Sequence, residues 1–91
     1  MTATRNALIL DAGFASLPLQ RAVKAAGFTT LVCSGKPHDA GMKAADTPIV
    51  QNYADYDAVL DVARKYAISA ITPGVTDVSY LTASRVAAAL G

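Results

Sequence analysis

The chain has one cysteine, Cys33, among its 91 residues, so no intrachain disulfide can form, and a lone thiol of this kind fits a reducing compartment. It also has one histidine, His38, and one Cys with one His cannot complete a structural zinc site in a monomer, so no metal site is expected. Long apolar runs are missing as well. The run from Ala7 to Leu10 stops at Asp11, which is too short for a secretory signal, and no stretch nears the roughly 20 apolar residues that span a bilayer. A cytoplasmic protein with no membrane partner is the expectation. Charge of one sign is not in excess either: eight Lys and Arg are interleaved with seven acids for a net +1. Binding to a phosphate backbone needs clustered basic residues, so no nucleic-acid partner is expected.

Several catalytic signatures are absent too. A dinucleotide fingerprint would read G-x-G-x-x-G after the first strand, with an acid ending the second. Here the turn Asp11–Ser16 reads D-A-G-F-A-S, and Cys33-Ser34 ends the second strand. The chain also lacks a G-x-x-x-x-G-K-[ST] phosphate loop and a G-x-S-x-G nucleophile elbow. Ser34, His38 and Asp39 are loop neighbours and cannot orient one another as a triad requires. Cys33 ends a buried strand and reads as a packed side chain, not a nucleophile. His38 reads as a solvated loop residue. No catalytic set is expected within these residues.

What is present is a chain that folds. Over half the residues are apolar, well outside the composition of disordered segments. Ala7-Leu8-Ile9-Leu10 suits a strand buried on both faces. Leu17 to Ala26 reads as a helix, with Ser16 as N-cap, Pro18 in the first turn and Gly27 as the stop. Its apolar face is Leu19, Ala22, Val23 and Ala26. Thr29 to Cys33 is a β-branched second strand, and a helical turn around Met42 leads to a brief third strand at Pro48-Ile49-Val50. Asp55 caps a helix from Tyr56 to about Tyr66. Ile68 to Thr72 forms a fourth strand. Thr76 or Asp77 caps a last helix with an apolar stripe of Val78, Leu81, Val86, Ala89 and Leu90. Strands alternating with helices predict one α/β domain over residues 1–91: a three-layer α/β/α, Rossmann-like fold with a parallel sheet of about four strands, in the order 3-2-1-4.

In such sheets ligands collect beyond the carboxyl ends of the strands, where the strand order reverses. The turns holding Gly13 and Gly74 both lie there if the first and fourth strands are neighbours. Each would aim a helix N-terminus at the crevice, which suggests a carboxylate or phosphate ligand. Gly13 and Gly74 equally suit turns that are merely crowded, and Ser16 and Asp77 suit caps better than ligand contacts. Asp11, a carboxylate ending a buried strand, needs a partner: Arg5, Lys36, a turn N–H or a ligand.

Three segments in order carry a family resemblance: I-L-D-A-G-F-A-S-L-P-L-Q-R-A-V-K-A-A-G-F, D-A-G-M-K-A-A-D, and P-G-V-T-D-V-S-Y-L-T-A-S-R-V-A-A-A-L-G. From about Asn6 to Gly91 the chain resembles the pre-ATP-grasp domain. That domain opens ATP-grasp ligases such as the carbamoyl-phosphate synthase large chain, the ATP-dependent formyltransferase and carboxylase of purine synthesis, and other carboxylate–amine ligases. The resemblance implies that Gly13, Phe14 and Ala15, with Gly74, Thr76 and Asp77, line the substrate side of an active site. It also places Asp39-Ala40-Gly41-Met42 near the cleft. ATP and magnesium are implied only for the full-length enzyme, held by the ATP-grasp domain that follows, with none bound by this fragment. The implied partners are that domain and a small carboxylate or amine substrate, and the isolated piece is expected to dimerise through the surface left uncovered. Many relatives have glycine where this chain has Asp11. A freestanding Rossmann-like module that binds a nucleotide or a protein is the alternative.

Overall fold

The computed structural model describes residues 5–91. Four strands, β1 (Arg5–Leu10), β2 (Phe28–Ser34), β3 (Thr47–Val50) and β4 (Ala70–Pro73), pair in parallel in the order β3-β2-β1-β4. The connections carry α1 (Ser16–Ala25), α2 (Ala40–Ala44) and α3 (Tyr56–Lys65), and α4 (Asp77–Leu90) follows β4. The expected 3-2-1-4 order is the observed one.

The side chains of β1 alternate between two cores, which makes the fold three-layered. Leu8 and Leu10 join Leu31, Cys33, Val59, Ala63, Ala83 and Val86 on the α3/α4 side. Ile9 and Ala12 join Val32, Met42, Leu19 and Val23 on the α1/α2 side. Because both faces are covered, Leu8, Ile9 and Leu10 are all wholly buried, which is why the strand reads as an unbroken apolar run.

The helix ends show which local signals prevail. The Asp55 carboxylate accepts from the Ala58 amide at 3.2 Å and caps α3. At α4 the cap is Thr76, whose hydroxyl accepts from the Ser79 amide at 3.1 Å, and Asp77 lies in the first turn. Ser16 is not the cap of α1. It sits inside the first turn, buried, with its hydroxyl donating to the Gly13 carbonyl at 2.7 Å. Its amide donates to the same carbonyl at 3.0 Å, so the helix starts one residue early from a tight turn. Ala15 takes the cap position without a side-chain bond.

The apolar stripe expected on α4 is also corrected. The buried face is Ser79, Thr82, Ala83 and Val86, an i, i+3, i+4, i+7 set of mostly small residues. Val78 and Leu81 face outward, 48% and 61% exposed. The Ser79 hydroxyl on this inner face is satisfied locally: Ser79 Oγ donates to the Thr76 carbonyl at 2.8 Å and accepts from the Gly74 amide at 3.1 Å.

The end of α3 explains why β4 begins later than Ile68. The Ile68 amide reaches the Ala63 carbonyl at 3.1 Å and the Ala67 amide reaches Arg64 at 3.2 Å, the paired bonds of a Schellman cap. Ala67 occupies its left-handed position at φ 48°, where an L side chain is strained by about 1–2 kcal/mol. Ala67→Gly is therefore expected to stabilise the domain by about 1 kcal/mol, measured as a rise in the urea midpoint at unchanged slope. An unchanged or lower midpoint would contradict this reading of the cap. No helix among the described residues is long and apolar enough to cross a membrane.

Candidate functional site

The carboxyl ends of β1, β2 and β3 open onto a cleft of about 680 Å3. Asp11, Ala12 and Gly13 line it from β1. Ser34, Gly35, Lys36 and Asp39 follow β2, and Asn52 and Tyr53 follow β3. Parallel strands bring these loops to one edge because each crossover returns the chain to the same end of the sheet.

Local bonds hold the walls in place. Ser34 Oγ accepts from the Lys36 amide at 3.1 Å and donates to Asp39 Oδ2 at 3.2 Å, which fixes the turn after β2 and the carboxylate at the entrance to α2. Asn52 Oδ1 accepts from the Ala54 amide at 2.9 Å, turning the chain toward α3. The Tyr53 hydroxyl meets Thr76 Oγ1 at 3.4 Å, tying the cleft wall to the start of α4. Gln20, almost wholly buried, donates to the Gly41 carbonyl at 3.0 Å and so clamps α2 to α1 beneath the turn after β1.

The two glycine turns do meet, and Asp11 lies between them. Its Oδ1 accepts from the Gly13 amide at 3.0 Å. Its side chain also fills the space that a Cβ on Gly74 would need: such an atom would overlap Asp11 Cβ and stand 2.6 Å from its Cγ. The partner of Asp11 is thus a turn N–H. Arg5 instead donates to the Ala26 carbonyl at 3.0 Å and lies over the Phe28 ring.

This arrangement changes the expected anion-binding crevice. At α1 the amides of Gly13, Ser16 and Leu17 are already bonded to Asp11, Gly13 and Phe14, and Pro18 has none. Among the described residues the amides of Phe14 and Ala15 carry no bond, and the Asp11 carboxylate is held at the Gly13 amide beside them in the chain. Of the residues carried over from the resemblance, Gly13 lines the cleft, Gly74 lies under Asp11, and Thr76 reaches the wall through Tyr53. Phe14, 81% exposed, and Ala15 sit on the outer turn, and Asp77 is exposed at the head of α4. Sequence reasoning did not assign Ser34, Lys36, Asn52 or Tyr53 to the site. Their signal was positional, since each follows the end of a parallel strand. His38 is an exposed loop residue outside the lining.

Cys33 lies just below the cleft, fully buried, with its thiol donating to the Gln51 carbonyl at 3.2 Å. Burial pushes its pKa from 9.0 up to about 12. A thiol reagent at pH 8 is expected to leave the native protein unmodified and to label it on unfolding; rapid labelling of the folded chain would contradict this. The sign of the linkage follows. This contribution to stability is fully present below pH 9 and is lost as pH rises from about 9 toward 12, because the unfolded thiol ionises first.

No protein-family profile matches the chain, and no curated protein matches it in sequence. Its fold does match solved structures. Phosphoribosylglycinamide synthetase from Anaerococcus prevotii superposes with a TM-score of 0.81 at 21% identity, covering 94% of this chain and 22% of that one. N5-carboxyaminoimidazole ribonucleotide synthetase from Thermotoga maritima gives 0.76 at 17% identity, with 94% and 23% covered. An ADP complex of a second synthetase of that name gives 0.76 at 18%, with 97% and 23% covered. At these identities the likeness is one of fold: the chain has the Rossmann-like architecture of the N-terminal portion of such ligases. It spans less than a quarter of their length.

Proposed function

We propose that this chain is the substrate-side N-terminal domain of an ATP-dependent, ATP-grasp carboxylate–amine or carbamoyl-phosphate-type ligase. The observation that carries the reading is the polar cleft at the carboxyl ends of β1, β2 and β3, in a domain folded like the opening part of known synthetases. In this reading the cleft receives the small carboxylate or amine substrate, with Gly13, Asp11 and Asp39 on its walls. Phe14, Ala15 and Asp77 then contact substrate or the adjoining domain from the rim.

In this reading the cleft serves the substrate and not magnesium–ATP. The cleft offers one cation, Lys36, against two carboxylates, and in the turn after β1 the amides of Gly13, Ser16 and Leu17 are already bonded within the chain. In this reading ATP and its metal belong to a following ATP-grasp domain, and the chain is not catalytic alone. The outward side chains Val75, Val78 and Leu81 give such a domain an apolar surface to cover.

The test is kinetic and uses the protein isolated from its source. Asp39→Asn keeps an acceptor for Ser34 but removes a charge from the cleft. It is expected to raise the KM for the acceptor substrate about tenfold while leaving the KM for ATP unchanged. A variant that shifts only the KM for ATP would place the nucleotide here and sink the reading.

A further inference from the structure

The large apolar side chains that the fold leaves in solvent are concentrated at one place. Val75, Val78, Tyr80 and Leu81 are all exposed, on the first turns of α4 or just before them. Single exposed apolar residues are ordinary, but a cluster of them marks a surface that something covers. The buried side of α4 is Ser79, Thr82, Ala83 and Val86, so the opposite side carries Asp77, Leu81, Ser84, Arg85 and Ala88, all exposed. Asp77, Leu81 and Arg85 follow one another at i, i+4 and i+8 along that side.

The two charges there are opposite in sign and equally spaced from Leu81. They lie about 12 Å apart along the axis, too far to pair within one helix. Neither forms an ion pair among the described residues, where the pair seen is Lys24–Asp46. Arg85 is held at the outer side of α4 by lying over the Tyr56 ring, 4.0 Å from its centroid. From this pattern we infer that the α4 face binds a second copy of the chain, the two α4 helices packing antiparallel about a twofold axis at Leu81. A twofold contact is self-complementary, so whatever lies four residues before the axis meets whatever lies four after it. Leu81 then meets its symmetry mate, Val78 meets Ser84, and Asp77 meets Arg85 at both ends. A parallel pairing would set Asp77 against Asp77 and Arg85 against Arg85, so the charges select the antiparallel one. The inference stands apart from the ligase reading: an adjoining domain and a second copy would compete for Val78 and Leu81.

Sedimentation equilibrium of the 91-residue chain, loaded from about 1 μM to about 1 mM, measures the association directly. The chain is expected to pass reversibly from 9.4 kDa to twice that mass. Leu81→Asp should raise the dimer Kd at least about tenfold, since it sets two carboxylates face to face on the axis. Asp77→Arg and Arg85→Asp should each do the same, because each brings like charges together at both symmetric contacts. The variant carrying both changes restores opposite charges and should return the Kd to within about threefold of the unaltered chain. All three positions are exposed, and the urea midpoint of each variant separates lost association from lost fold. A chain that stays at 9.4 kDa throughout would overturn the inference and leave the face to an adjoining domain. So would a dimer indifferent to Leu81→Asp, or a double variant that associates no more tightly than either single one. None of these results bears on whether an ATP-grasp domain follows.

Discussion

Gly74→Ala is expected to destabilise the domain by about 1–3 kcal/mol, the cost of forcing extra volume into a packed site. For a domain of this size each kcal/mol lowers Tm by about 4–8 °C. The added Cβ would overlap Asp11 Cβ and crowd the carboxylate, with Oδ2 at 2.5 Å. Asp11 cannot retreat cheaply, because its backbone follows directly on the buried end of β1, Leu8 to Leu10, and its Oδ1 holds the Gly13 amide. The obstacle is one side chain, so a second substitution should relieve it. Asp11→Ala would still carry the offending Cβ. Asp11→Gly removes it, and Asp11→Gly/Gly74→Ala is expected to recover most of the loss, giving a coupling of about 1–3 kcal/mol in thermal or urea unfolding. Strict additivity of the two changes would show that the turns do not meet through Asp11. The double variant exchanges which of the two turns carries the side chain.

The second large effect is expected at Gly41, where the obstacle is backbone. A Cβ there would collide with Ser16 Oγ and stand 2.7 Å from both Ala12 Cα and its carbonyl oxygen. No rotamer change relieves contact with main chain. Helix α2 would have to lift, stretching the 2.7 Å bond from the Gly41 amide to the Ala12 carbonyl and the Gln20 bond to the Gly41 carbonyl. Gly41→Ala is expected to cost at least as much as Gly74→Ala, and substitution at Ser16 should recover little of it. The readouts are the unfolding midpoint and faster amide exchange across α2. A helix that tolerates alanine within about 0.5 kcal/mol would refute the close approach.

These two positions show what the sequence could and could not convey. Strand order and layers were legible because they follow from burial: the run Ala7 to Leu10 has no polar break, and the helices between strands show a 3.6-residue period. The cap at Asp55 was legible because the signal is local. The start of β4 was not, since Ala67 takes a left-handed conformation that residue preference assigns to glycine, and the Schellman bonds around it draw Ile68 into the helix cap. The buried face of α4 was misread for a related reason. Ser79 and Thr82 are polar by type, and only the structure shows Ser79 satisfied by Thr76 and Gly74.

The site was legible at the level of topology. Gly13 and Gly74 were expected to face one crevice, and they do converge. That Asp11 fills the space between them depends on a side-chain path no spacing rule encodes. The open volume consequently lies toward β2 and β3, over Ser34, Lys36, Asn52 and Tyr53. Gly13 itself is not forced to be glycine by crowding, since a Cβ there meets its nearest neighbour, Asp11 Oδ1, at an ordinary 3.6 Å. Gly74 and Gly41 are the glycines that the packing requires.

The central claim, that this cleft serves a ligase whose ATP chemistry lies in another domain, is tested most directly by the size and activity of the native gene product. An antibody raised against the 9.4 kDa domain should detect, in extracts of the source cells, a single polypeptide several times larger. Captured on that antibody, it should release ADP from ATP only when a carboxylate and an amine are both supplied. A native product of 9.4 kDa that turns over no ATP would contradict the account.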